Sequence, residues 1–289
     1  MIRQKSFESD VSTLYLVPTP IGNLQEMTPR ALDILKEVSV IAAEDTRNTK
    51  KLLMAYGIYT MLMSHHEHNQ QVSIPKIIER LENGENVAVV SDAGYPLVSD
   101  PGQKLVQETI SHGFNVVSVS GANAAMNALV ASGLSCYHYL FYGFLDNKSS
   151  KRKKQLEEIK TIPYTTIFYE APHRILACIQ DMIQVFGEDR PVGFAREITK
   201  TFETIKKMTL KELVTFIEND HNQEKGEIVV VVGGATAEKD MEQDKLDKLL
   251  KRLLQDLSVK AASQLAADLT GIKKKVAYQR ALELTQDNK

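Results

Sequence analysis

Three short segments gather small residues and prolines directly after apolar runs: Pro18-Thr19-Pro20-Ile21-Gly22-Asn23, Ser91-Asp92-Ala93-Gly94-Tyr95-Pro96 and Ser120-Gly121-Ala122-Asn123-Ala124. Proline stiffens such a turn and glycine lets a ligand come close to the backbone. Asp92 offers a carboxylate among small neighbours. Ser120-Gly121 opens a helix, whose first N–H groups lack partners and suit the anionic end of a ligand. Asp100-Pro101 reads as a helix start, with proline in the first turn. None of the three loops is GxGxxG, and no P-loop occurs, which argues against a dinucleotide or Walker-type nucleotide site.

Charged groups cluster after other apolar runs. Glu44, Asp45 and Arg47 lie in Ala43-Glu44-Asp45-Thr46-Arg47, where helix capping by Asp45 or Thr46 explains one residue but not the set. Tyr169-Glu170-Ala171-Pro172-His173-Arg174 places a carboxylate, an imidazole and a guanidinium within a few residues. Ala195-Arg196-Glu197-Ile198-Thr199-Lys200 adds three more charges. The basic run Lys148, Lys151, Arg152, Lys153, Lys154 follows Phe141-Tyr142-Gly143-Phe144, and lysines beside aromatics can hold a phosphate backbone and stack bases. His65-His66-Glu67-His68 fits no HExxH or zinc spacing and reads as a polar loop, so no metal is expected. Cys136 and Cys178 lie far apart and read as free core thiols. There is no GxSxG elbow.

The elements that must hold these groups follow from periodicity. Strands are expected at 14–17, 38–43, 87–91, 115–119, 139–142, 165–169, 191–195 and 227–232, with amphipathic stretches between them. Thr28-Pro29 caps one helix. Alternating strands and helices imply an α/β protein with largely parallel sheet, because parallel neighbours need a crossover. Ligands of open α/β sheets bind at the carboxyl ends of strands, where all these loops lie. The divisions expected are an N-terminal α/β domain at 1–125, a second α/β domain at 126–235 and a C-terminal helical segment at 236–289. In that segment two short helices flank Thr270-Gly271. A plain helical hairpin is preferred there over a helix-turn-helix opened by Lys273, Lys274 and Lys275. With 37 acidic against 35 basic residues, any nucleic-acid contact must come from local patches. Residues 1–10 are polar, without a signal-peptide core, and no run is long enough to span a bilayer, so a cytoplasmic protein is expected.

These segments resemble, in order and spacing, the ribosomal RNA small subunit methyltransferase I family, the 16S rRNA cytidine 2′-O-methyltransferases of the tetrapyrrole methylase superfamily. The resemblance rests on TPIGNL (19–24), AEDTRNT (43–49), SDAGYPLVSDPG (91–102), FYGFL (141–145), YEAPHR (169–174), AREITK (195–200) and KGE (225–227), within about residues 13–235. It implies two α/β domains with S-adenosylmethionine in the cleft between them, a homodimer, and small-subunit ribosomal RNA or the assembled subunit as substrate. Carried over, Pro20, Asp92, Ala93, Gly94, Ser120, Gly121, Ala124, Tyr169, Ala195 and Gly226 would meet the cofactor. Glu170 and His173 are the expected bases, and Arg196 would place the phosphate or ribose. Glu44, Asp45, Arg47, Lys148, Lys151, Arg152, Lys153 and Lys200 would face the RNA. The chain departs from the family pattern at Tyr95, where threonine is usual, and at Ser120–Ala124, where a PGPSA-like string is common. Two other readings stay open at this point: a methyltransferase of the same superfamily acting on a tetrapyrrole or a protein, and a non-catalytic RNA-binding assembly protein.

Overall fold

The computed structural model describes residues 10–100, 102–235 and 239–286. The polar stretch at 1–9 and Pro101 of the expected helix start lie outside the described residues.

The first sheet is made by β1 (Thr13–Leu16), β2 (Val40–Ala43), β3 (Met61–Ser64), β4 (Val87–Val90) and β5 (Asn115–Ser118). Its order is β3-β2-β4-β1-β5, with every neighbour parallel. The crossovers are α1 (Pro29–Glu37), α2 (Thr46–Ala55), α3 (Gln70–Glu82) and α4 (Gln103–Ser111). Thr28 caps α1 by accepting a hydrogen bond from the Ala31 N–H at 3.2 Å. Alternate strand residues serve opposite faces: Leu14, Val40 and Val87 pack with Ile77, Leu81 and Leu105, whereas Tyr15, Ile41 and Ala88 pack with Ile34, Leu35 and Leu53. A sheet covered on both faces needs the continuous apolar strands found here.

The chain then forms α5 (Ala124–Ala131), β6 (Tyr139–Phe144), α6 (Ser149–Ile159), β7 (Thr165–Glu170), α7 (Ile175–Phe186), β8 (Pro191–Arg196), β9 (Thr204–Thr209), α8 (Leu210–Asn219) and β10 (Ile228–Val232). The second sheet runs β6-β7-β10-β8-β9. Only β6 and β7 are parallel, and the other three pairs are antiparallel. The expectation of largely parallel sheet therefore holds for the first sheet and fails for the second. Strands β3 and β9, both at sheet edges, were not expected. One face of this sheet carries α6, α7 and α8. The other carries α5, whose Ala125, Ala128 and Leu129 pack with Ile167, Ala195, Val229 and Val231. A boundary between residues 125 and 126 thus falls inside a helix that leaves the first sheet and covers the second.

The tail is three helices, α9 (Lys239–Leu253), α10 (Val259–Thr270) and α11 (Lys274–Gln286), around a core of their own with Leu250, Ala262, Ala266, Ala277 and Ala281. Gly271 ends α10 in the left-handed conformation at φ 75°, which an unbranched backbone takes without a Cβ clash. No helix among the described residues is long and apolar enough to cross a membrane.

Candidate functional site

The carboxyl ends of β1 and β4 are tied into one ledge. Thr19 and Gly94 exchange two backbone hydrogen bonds of 3.0 Å, and the Thr19 hydroxyl donates to the Ser91 carbonyl at 3.1 Å. Gly94 sits at φ 75°, in the region that favours glycine. Asn48 Nδ2 donates to Asp92 Oδ2 at 3.0 Å and fixes that carboxylate. The loop from β5 joins the ledge through the Gly121 N–H, which donates to the Tyr95 hydroxyl at 3.0 Å. Gly121 also packs so closely on Pro18 that a Cβ would lie 2.8 Å from the proline Cβ. The two departures from the family pattern therefore meet each other.

The second sheet supplies the opposite wall. Tyr169 is the penultimate residue of β7 and is flanked by the rings of Phe141 and Phe144, at centroid distances of 5.1 and 5.6 Å. Gly226, at φ 80°, leaves room that Glu197 fills: a Cβ there would lie 2.3 Å from Glu197 Oε1. Lys200 Nζ donates to Glu197 Oε1 at 2.7 Å and to Glu227 Oε2 at 2.9 Å. The Lys200 stem lies against Gly22 of the first wall, where a Cβ would come within 2.4 Å of its Cγ.

Between the walls is a cavity of about 460 Å³, lined by Asp92, Ala93, Gly94, Ala124, Tyr169 and Gly226 among the residues expected to hold a cofactor. Pro20 lies in an adjoining hollow with Asn48 and Asp92. Ser120, Gly121 and Ala195 are not on the cavity wall; Gly121 braces the ledge, and Ala195 is buried under α5. Glu44 and Glu170 reach the wall, as does Phe144 of the aromatic run noted beside the lysines; Asn123, Asp100 and Glu227 also reach it, though the sequence had given them no site role. The lining residues thus include five acids, Glu44, Asp92, Asp100, Glu170 and Glu227, and no lysine, arginine or histidine among the described residues, although the Glu170 side chain is itself fully buried against Arg174. Burial, then the neighbouring Asp92, raises the Glu44 carboxyl above its ordinary value. Burial, then Glu44, pushes Asp100 up to about 6. Burial raises the Tyr169 phenol.

Several expected roles do not survive the geometry. Arg196 is 7% exposed, and its guanidinium donates to Gln223 Oε1 at 3.1 Å and to the Phe202 carbonyl at 2.9 Å, so it braces a loop and does not present itself to a phosphate. Arg152 is 3% exposed and paired with Asp181 at 2.6 Å, which removes it from the basic surface. His173 is exposed and off the cavity wall. Asp100 does not cap α4; Gly102 occupies the cap position, at φ 134°. His65 lies in the loop after β3 as expected but is buried there, with Nδ1 2.8 Å from the Ser73 hydroxyl. Cys136 is exposed, while Cys178 is buried beside Glu170, and burial holds its thiol well above its usual range. Asp45 and Arg47 pair with each other at 2.7 Å, holding the Asp45 carboxyl at about 2. Lys148, Lys151 and Lys154 are exposed on or beside α6, and Lys153 Nζ donates to Gln184 Oε1 at 3.2 Å. Glu170 Oε1 accepts from the Ala171 N–H at 2.7 Å and from Arg174, and Oε2 is buried without a nitrogen or oxygen partner.

Comparison with known proteins adds a further set of observations. Residues 13–214 match the family described as Tetrapyrrole (Corrin/Porphyrin) Methylases, and residues 240–285 match the RsmI C-terminal HTH domain. The latter match corrects the preference for a plain hairpin in the tail. A protein of Pseudomonas aeruginosa named ribosomal RNA small subunit methyltransferase I is 46% identical over 273 residues, covering 94% of this chain and 97% of that protein. The protein of that name in Bacillus subtilis is 48% identical over 244 residues, covering 84% of this chain and 82% of its own length. Among solved structures, diphthine synthase superposes with a TM-score of 0.60 at 14% identity, covering 77% of this chain and 90% of that one, a likeness of fold.

Proposed function

The chain belongs to the ribosomal RNA small subunit methyltransferase I family of the tetrapyrrole methylases, and from that premise we propose that it methylates a ribose 2′-hydroxyl of a cytidine in 16S ribosomal RNA. It is an S-adenosylmethionine-dependent methyltransferase of small-subunit ribosomal RNA. The observation that carries the reading is that Glu44, Asp92 and Asp100 line the cavity with no lysine, arginine or histidine of the described residues on its wall, while the other two acids there, Glu170 and Glu227, are ion-paired with Arg174 and Lys200. Such a wall favours a ligand with positive charge at its centre, because Coulomb attraction strengthens where water is partly excluded. When bound, S-adenosylmethionine supplies a methyl group on a sulfonium, whose carbon–sulfur bond breaks with the electron pair kept by sulfur.

Asp92, Ala93 and Gly94 on the ledge, Ala124 at the start of α5, and Tyr169 and Gly226 opposite are the residues we assign to holding it. The Phe144 ring, half exposed at the cavity mouth, suits a base stacking on it. Lys148, Lys151, Lys153 and Lys154 lie just beyond on α6 and at its start, where they would meet the phosphate backbone. Glu44 lines the cavity and would meet the ribose, while Arg47 stays tied to Asp45 at the rim. Because the leaving group is already activated, most of the enzyme's work is aligning the attacking oxygen with the methyl carbon. The same reading includes the divisions 1–125, 126–235 and 236–289, a homodimer, and action in the cytoplasm, where small subunits are assembled.

The test is methyl transfer from labelled S-adenosylmethionine to unmodified small subunits, naked small-subunit RNA and a tetrapyrrole precursor. Label in RNA, at a position that resists alkaline cleavage, is the expected result, and the first two acceptors tell assembled from free substrate. Label on a base, or only in the tetrapyrrole, overturns the proposal.

A further inference from the structure

We propose that Asp100 is the general base that takes the proton of the ribose hydroxyl, an inference resting on the ribose-methylation reading above. Of the five carboxylates on the cavity wall, three have fixed partners. Asp92 accepts from Asn48, Glu170 from Arg174 and the Ala171 N–H, and Glu227 from Lys200. A carboxylate held by a guanidinium or an ammonium is a weak proton acceptor. Glu44, raised by burial and then by Asp92, is held back by the Asp92 backbone N–H and by His66. Asp100 is half-buried, faces the like charges of Glu44 and Asp92, and has Tyr169 across the cavity.

The backbone around Asp100 supports the same assignment. Leu97 at φ 74° and Ser99 at φ 66° both carry a Cβ in the left-handed region, and Gly102 stands at φ 134°. Residues with side chains reach that region at a free-energy cost that the fold must offset, and such outliers concentrate where a group has to be aimed. No capping duty accounts for Asp100, because α4 begins after Gly102. What the strained turn does is set one carboxyl into the cavity wall.

Burial and the two neighbouring carboxylates place its proton affinity where a base works near neutral pH, at about 6. In the step, the oxygen lone pair forms the new bond to the methyl carbon. The hydroxyl proton passes to the Asp100 carboxylate and then to solvent past the exposed Asp92.

The experiment is single-turnover methylation of unmodified small subunits by the full chain at saturating cofactor, between pH 5 and 8.5, with Asp100→Asn and Asp100→Glu alongside. The wild-type rate is expected to rise tenfold per pH unit and level off above about pH 6. Asp100→Asn should lose about 100-fold or more and the acid limb with it, a loss that saturating S-adenosylmethionine does not repair; Asp100→Glu should recover part of the rate. Melting gives a reading independent of activity. Burial makes the native state hold this proton more tightly than the unfolded chain, so stability falls as the pH rises from 3.8 to about 6 and the loss is complete above that. The Asn variant should therefore melt higher than wild type at pH 8, with the gap closing by pH 4. Turnover within threefold of wild type at saturating cofactor, or an acid limb that persists in Asp100→Asn, would overturn the assignment. A wild-type chain that binds the cofactor but transfers nothing to RNA would overturn the parent reading, and this inference falls with it.

Discussion

At the scale of single residues, the run Lys148–Lys154 shows how one charge pattern can hold two kinds of group. Arg152 and Leu156 are one helical turn apart on α6, and both are buried. The guanidinium is compensated by Asp181 of α7, which also accepts from the Ser149 hydroxyl at 2.9 Å. Charge type alone cannot tell such a residue from its neighbours; the i, i+4 pairing with leucine was the signal available. Removing one partner of a buried pair leaves the other charge uncompensated, at a cost of about 3–5 kcal/mol. Arg152→Ala and Asp181→Ala should each lose about that much in urea unfolding. Lys154→Ala, on the exposed face, should stay within about 0.5 kcal/mol while weakening RNA binding. An Arg152→Ala protein of wild-type stability would remove the pair from the core. Glu170 and Asp100 exchanged expectations in the same way. Glu170 stands out by its motif yet is tied to Arg174, whereas Asp100 reads as a helix cap in the sequence and faces the cavity in the fold.

Among the elements, the first sheet was legible because its inner strands are apolar on both faces, as strands covered by helices on both sides are; β10 has the same pattern but is antiparallel to both neighbours, so the pattern shows cover and not direction. The other sheet was misread for a physical reason. Strand β9, Thr-Ile-Lys-Lys-Met-Thr, is an edge strand with Lys206 and Lys207 exposed at its centre, so it carries no apolar signature. With β9 unseen, the antiparallel hairpin it makes with β8 could not be inferred, nor could the reversed direction of β10. The contact that matters most for the site is between α5 and this sheet. Gly193 lies in mid-strand under Ser132, and a Cβ there would stand 2.5 Å from the Ser132 Cβ. Gly193→Ala should lift the end of α5 and cost about 1–3 kcal/mol by overpacking. Because Ala124 at the start of α5 lines the cavity, cofactor affinity should fall severalfold as well. Adding Ser132→Gly removes the clashing carbon and should restore both quantities, a coupling that a double-mutant cycle by calorimetry and melting would measure. Independent, additive losses would mean that the glycine is not there to admit the helix.

At the scale of the whole molecule, a net charge of −2 and an acidic cavity must still bring in a polyanion. Bulk attraction cannot do this, so the cationic surface has to be local and set apart from the carboxylates. Two such places are visible. One is the lysine face of α6, the helix that follows β6 with its cavity-lining Phe144, and the other is Lys273, Lys274 and Lys275, all exposed at the entry to α11. The tail has a core of its own, so its lysines can change without disturbing the cavity. If both surfaces neutralise phosphates of one RNA, their contributions to the salt dependence of binding should add. Each phosphate contact on single-stranded RNA contributes about 0.7 to the slope of log affinity against log salt. Replacing the three tail lysines with alanine should therefore lower that slope by up to about 2, and the affinity for small-subunit RNA by tenfold or more. The affinity for S-adenosylmethionine should not move. An unchanged slope would assign the tail to a protein contact on the assembled subunit. In that case the same triple variant should still methylate naked RNA at the wild-type rate while slowing on intact subunits, because only the latter would present the surface the tail reads.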